Sequence, residues 1–106
     1  MNFFRLQKAG ISFDAMMTFV SEDGGDGYNV GLCVTDSISD TRFGGADGAY
    51  NANAGEGEVV VMQGRVICRI YDGYRIEPTK EIARFAFAEW LAMVEDGSAE
   101  QYEEWN

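Results

Sequence analysis

The sequence predicts an α+β fold. We expect a small single domain with a mostly antiparallel sheet of about five strands, one long C-terminal amphipathic helix packed on one face, and one or two short helices. Three observations carry this. Residues 58–63 form a β-branched run suited to a central strand. Asp72-Gly73 is a two-residue hairpin signal between apolar stretches. Ala83, Ala86, Phe87, Trp90, Leu91 and Val94 fall on one helical stripe, widened by Ile82, Phe85 and Met93. With 106 residues, 46% of them apolar and 13% aromatic, the chain can bury a core and matches one domain, residues 1–106.

In chain order, residues 2–7 are short, aromatic and strand-like. Ser12 reads as an N-cap, with Asp14 in the first turn where the helix dipole favours an anion. Phe13, Met16, Met17 and Val20 then recur at helical spacing. The glycine-rich stretch 21–27 ends that helix. Residues 28–35 alternate as a strand, with Val30, Leu32 and Val34 on one face. Asp36 or Ser37 caps a short turn at 38–42, and residues 43–57, rich in Gly, Ala and Asn, form a long loop.

Beyond the run at 58–63, residues 65–71 make a further strand, and Asp72-Gly73 turns the chain into 74–77. That turn sets Ile70 opposite Arg75 and Cys68 opposite Glu77, leaving neither face cleanly apolar. Thr79 is the expected N-cap of the long helix, which ends at Asp96 with Gly97 as its C-terminal glycine. Ser98 caps one further turn in an acidic tail, residues 95–106. Cys33 and Cys68 sit in apolar stretches and read as buried, reduced core thiols.

Eighteen acidic residues against eight basic ones give a net charge of −10, with no histidine. Direct nucleic-acid binding is disfavoured, because phosphate contacts need clustered Lys and Arg. An anionic membrane surface is disfavoured for the same reason, and the apolar runs are too short to span a bilayer. With no signal-peptide pattern in view, the expected location is cytoplasmic: the host cytoplasm, if a phage encodes the chain. A strong negative field favours basic protein partners, chiefly through faster association. Simple solubility, or adaptation to a salty cytoplasm, is the plainer account of the same charge.

The charge is unevenly spread. Residues 65–84 carry five bases and three acids, whereas residues 85–106 carry six acids and no base. Glu95, Asp96, Glu100, Glu103 and Glu104 are interleaved with Tyr102 and Trp105, pairing charge for steering with aromatic anchors for affinity. Glu22, Asp23 and Asp26 form a second acidic surface. These ten residues are the candidate partner-binding set, and a solvated chain end is the alternative for the tail.

Without histidine there is no Ser-His-Asp triad, Cys-His pair or histidine metal site. Two cysteines alone do not make a structural zinc site, and no P-loop or Rossmann glycine pattern is present. The stretch 47–58 places oxygen donors as an EF-hand loop does at some positions, but Ala52 stands where that loop needs glycine. No metal or cofactor is therefore expected.

One enzyme-like pattern remains. Glu56-Gly57-Glu58 lies immediately before the strand Val59-Val60-Val61, and Arg5 lies on the first strand. This resembles the ADP-ribosyltransferase layout, which pairs a first-strand arginine with a Glu-x-Glu at a strand edge. The resemblance implies NAD binding by Arg5 and stabilisation of an oxocarbenium-like centre by Glu58. Residues 31–37 depart from that family's Ser-Thr-Ser strand.

Two functions follow as expectations. The first is a small acidic inhibitor that occupies a basic, nucleic-acid-binding surface of a host protein or nucleoprotein complex by charge mimicry. Phage or mobile-element proteins of the anti-CRISPR or anti-restriction kind have that size and charge. The alternative is a minimal ADP-ribosyltransferase-like enzyme using Arg5 and Glu58.

Overall fold

A computed structural model describes residues 1–20, 31–43, 57–70 and 73–103. Its elements run β1 (Phe3–Lys8), α1 (Phe13–Val20), β2 (Leu32–Val34), a 3-10 helix (Ser39–Phe43), β3 (Gly57–Ile70), β4 (Gly73–Ala86), α2 (Phe87–Asp96) and a second 3-10 helix (Ser98–Tyr102). The four strands form one sheet of order β1-β3-β4-β2. Every pairing between them is antiparallel.

Four strands replace the expected five because 57–70 is one strand running through Gln63-Gly64. Gly64 makes that passage feasible. A Cβ there would sit 2.7 Å from the Glu77 carbonyl oxygen and 2.8 Å from Ile76 Cδ1, a separation only glycine avoids.

The expected helix from Thr79 is overturned: residues 79–86 belong to β4, and α2 begins only at Phe87. The physical reason lies in the register. Val61 faces Ala83 while Met62 faces Glu81, and Gln63 faces Lys80 while Gly64 faces Pro78. Ile82 and Thr79 are thus extra residues bulged out of β4. The Ile82 bulge resets the two-residue alternation, so Ile82, Ala83 and Phe85 all pack against one face of the sheet. Their spacing imitates a helical stripe.

The hairpin register is also corrected. Ile70 faces Gly73 and Cys68 faces Arg75, so the connection is at 71–72, and Ile67 is a third bulge. Of the strand expected at 28–35, Leu32–Val34 is present and 28–30 lie outside the described residues. Alternation survives there, with Leu32 and Val34 buried and Cys33 half-exposed. The cysteines are free thiols, only partly buried. Both are registered opposite Arg75, on either side of β4. Two strand spacings, about 10 Å, then separate them, beyond disulfide reach.

Bulges add twist and bending. The sheet curls until its edge strands meet, where Phe4 and Thr35 exchange backbone hydrogen bonds of 2.8 and 2.9 Å. Each face carries its own core. Phe3, Met16, Leu32, Val34, Val60, Met62 and Ile76 pack on the α1 side. Phe4, Leu6, Ile38, Val59, Val61, Phe87, Trp90 and Ala99 pack on the α2 side. Two capping expectations hold: the Ser12 hydroxyl accepts the Ala15 N–H at 3.1 Å, and Gly97 ends α2 in the left-handed conformation. Two are overturned: Ala86, not Thr79, stands at the N-cap of α2, and Gly97, not Ser98, at that of the second 3-10 helix, neither with a side-chain cap hydrogen bond. Among the described residues no helix is long and apolar enough to cross a membrane.

Candidate functional site

The described part of the acidic tail, 95–103, is tied to the rest of the fold by hydrogen bonds and ring contacts. Trp90, fully buried on α2, donates its indole N–H to the Thr41 hydroxyl at 2.7 Å. Thr41 in turn donates to the Ile38 carbonyl, so α2 is tied to the first 3-10 helix. Tyr102 turns its ring inward against Phe85 and Trp90, at centroid distances of 5.6 and 6.2 Å. Its carbonyl accepts from the Asn2 side-chain amide at 2.9 Å, joining the second 3-10 helix to the start of β1.

These ties hold two banks apart across an open cleft of about 220 Å³. One bank is Ser37, Ile38 and Ser39; the other is Val94, Ala99, Glu100 and Glu103. Ile38 and Ala99 are buried, so the floor is apolar. The lining also includes polar residues: the Ser37 and Ser39 hydroxyls lie 3.0 Å apart, and Glu100 and Glu103 line the other bank. The Glu103 N–H bonds the Glu100 carbonyl at 3.0 Å, which fixes the spacing of the two acids. Among the described residues no ion pair reaches Glu100 or Glu103.

Of the ten residues expected to bind a partner, Glu95, Asp96, Glu100, Tyr102 and Glu103 are brought to this end of the fold. Glu95, Asp96 and Glu100 are exposed and Glu103 half-exposed. The Asp96 carboxylate accepts from Ser98, which holds it below its ordinary pKa of 3.8. Glu22, Asp23, Asp26, Glu104 and Trp105 lie outside the described residues, as does 44–56 of the loop expected at 43–57, whose end residues belong to the first 3-10 helix and to β3. Ser37, Ser39, Ile38 and Val94 were not read as site residues from the sequence. Val94 directly precedes the tail, whereas Ser37, Ile38 and Ser39 are far from it along the chain and are brought beside it by the Trp90–Thr41 tie and by the packing of Ile38 with Trp90 and Ala99.

Arg5 and Glu58 lie in a second polar cluster, on the α1 side of the sheet. Arg5 donates to the Cys33 carbonyl at 2.8 Å and to Gln7 Oε1 at 3.2 Å, spanning the gap where β1 and β2 diverge. Burial pulls its guanidinium below the ordinary arginine pKa, with the charge of Cys33 acting the other way. The Gln7 amide reaches the Ile11 carbonyl, to which Arg84 also donates. Arg84 completes the cluster by pairing with Glu58 at 2.5 Å and Glu81 at 2.6 Å. Burial opposes its charge, but Glu81 and Glu58 raise its pKa above the ordinary value. Glu58 Oε1 also accepts the Gly10 N–H. That carboxylate, only 15% exposed, is engaged in fastening β3 to β4 and to the β1–α1 connection.

Among the described residues no group of three or more acidic or thiol side chains is placed to hold a metal ion. Comparison with protein-family models, curated proteins and solved structures finds no match.

Proposed function

We propose that this chain is a small acidic protein-binding inhibitor that occupies a basic, nucleic-acid-binding surface of a partner protein in place of the nucleic acid. One observation carries the reading: in the base-free stretch 85–106, Glu95, Asp96, Glu100 and Glu103 are presented by α2, the second 3-10 helix and the residue after it, which hydrogen bonds tie to Asn2 and to the first 3-10 helix. A rigid array of carboxylates keeps its spacing on binding, which lowers the ordering cost of association. Exposed Asp36 and Asp40 flank the cleft and add to the negative field on that side. A phage or mobile-element inhibitor of CRISPR or restriction enzymes is the form of this function that fits size and charge best.

The NAD-using alternative receives no comparable support, since the Glu58 carboxylate is bonded to Arg84 and Gly10. The test is capture of host proteins on the immobilised chain at low salt, with elution by salt and by DNA or RNA. Specific recovery of a nucleic-acid-handling protein, released by nucleic acid, is expected. Recovery that nucleic acid does not compete would refute mimicry.

A further inference from the structure

We propose that the cleft between Ser37–Ser39 and Val94–Glu103 is a receptor for one arginine side chain of the partner protein. This rests on the protein-binding reading above and assigns it a contact point. The lining supplies what an arginine asks for along its length. Ile38, Val94 and Ala99 offer an apolar floor to the methylene stem, and Glu100 and Glu103 offer carboxylates to the charged head. The volume of about 220 Å³ leaves room for one long side chain.

Acceptors are arranged on both banks. The Ser37 hydroxyl already accepts the Asp40 N–H and is paired with Ser39, so the exposed Ser39 keeps the greater hydrogen-bonding capacity for a ligand. A guanidinium has a planar fork of donors, is weakly hydrated and bonds carboxylates bidentately; an ammonium is a compact, strongly hydrated point charge. A split set of two carboxylates and a hydroxyl across an apolar floor matches the fork better.

The experiment titrates fluorescent deca-arginine and deca-lysine peptides into the full chain at low and at physiological salt, with three variants. Glu100→Gln combined with Glu103→Gln removes the carboxylates. Ser39→Trp fills the cleft from an exposed position and leaves the net charge unchanged. Asp14→Asn removes an exposed acid on α1, away from the cleft. Circular dichroism and thermal unfolding confirm that each variant is folded.

Deca-arginine is expected to bind the unmodified chain several-fold more tightly than deca-lysine. The Glu100/Glu103 pair and Ser39→Trp should each weaken it about tenfold or more, as expected for loss of charged hydrogen bonds, while Asp14→Asn changes little. Undiminished binding to folded Ser39→Trp would overturn the receptor and leave the acidic-inhibitor reading standing. Equal affinity for the two peptides would overturn arginine as the occupant. No binding of either peptide at low salt would overturn both readings together.

Discussion

Replacing Arg84 with methionine tests whether the cluster around Glu58 is a structural fastening. Methionine keeps most of the stem and its packing, so the loss is confined to the guanidinium and its bonds. Those bonds go to the Ile11 carbonyl, Glu58 and Glu81. The Glu81 arm is an i,i+3 pair with Glu81 32% exposed, and contributes about 0.5 kcal/mol at most. The Glu58 arm is better shielded, with Arg84 and Glu58 at 23% and 15% exposure. Hydrogen bonds to charged groups contribute about 1.5–3 kcal/mol, and removing one partner leaves the other's desolvation uncompensated. The expected loss for Arg84→Met is therefore about 2–4 kcal/mol, or a fall of roughly 10–20 °C in Tm for a domain of this size. Urea unfolding followed by tryptophan fluorescence reads it directly, because Trp90 is fully buried in the native state. In a double-mutant cycle with Glu58→Gln, the coupling should be about 1–2 kcal/mol, while Glu81→Gln alone costs under about 0.5 kcal/mol. An Arg84→Met variant within about 0.5 kcal/mol of the parent, or a cycle without coupling, would refute the fastening.

Three further outcomes are expected. Gly64→Ala should destabilise by about 1–3 kcal/mol in chemical denaturation, since its Cβ would meet the Glu77 backbone at 2.7 Å; an unchanged midpoint would show that β4 yields there freely. Thr41→Val leaves the Trp90 indole N–H buried without its acceptor and should cost about 1–3 kcal/mol, with weakened arginine-peptide binding as the banks of the cleft loosen. Asp96 should titrate below its ordinary 3.8 in an NMR pH series, because Ser98 bonds its charged form. Its folded pKa is depressed, so the contribution it makes is present above the ordinary value and is lost as pH falls through the folded one. Ser98→Ala keeps the Ser98 backbone N–H but removes the hydroxyl, and should move the titration part of the way back; an Asp96 titrating at its ordinary value in the parent would remove the premise.

Elements whose signals are local were legible from sequence. Ser12, Gly97 and the 3-10 turn at Ser39–Phe43 are set by nearby side chains and backbone, and the structure keeps them. The misreading of 79–86 was a matter of competing periods. The bulge at Ile82 brings Ile82, Ala83 and Phe85 to one face and writes a helical spacing into a strand. Only the partner strand reveals it, because Val59 and Val61 offer paired positions that a helix would leave empty.

The site divides in the same way. The charge of the tail is a property of composition and could be read at once. The cleft depends on Trp90 meeting Thr41, 49 positions apart, and on Asn2 meeting Tyr102, 100 positions apart. Tyr102, expected to be an aromatic anchor for a partner, packs its ring on Phe85 and Trp90. Arg84 falls inside the helix expected from Thr79, and its bridge to Glu58 depends on the strand register that replaces that helix.

The most direct test of the central claim is the salt dependence of binding to a captured partner, comparing the parent with a variant carrying Glu95→Lys, Asp96→Lys, Glu100→Lys and Glu103→Lys. The account expects tight parental binding at low salt that weakens steadily as salt rises and is displaced by DNA or RNA. The reversed variant, still folded, should not bind. Equal binding by the two proteins, or parental binding indifferent to salt, would contradict the claim that this acidic face engages a basic surface.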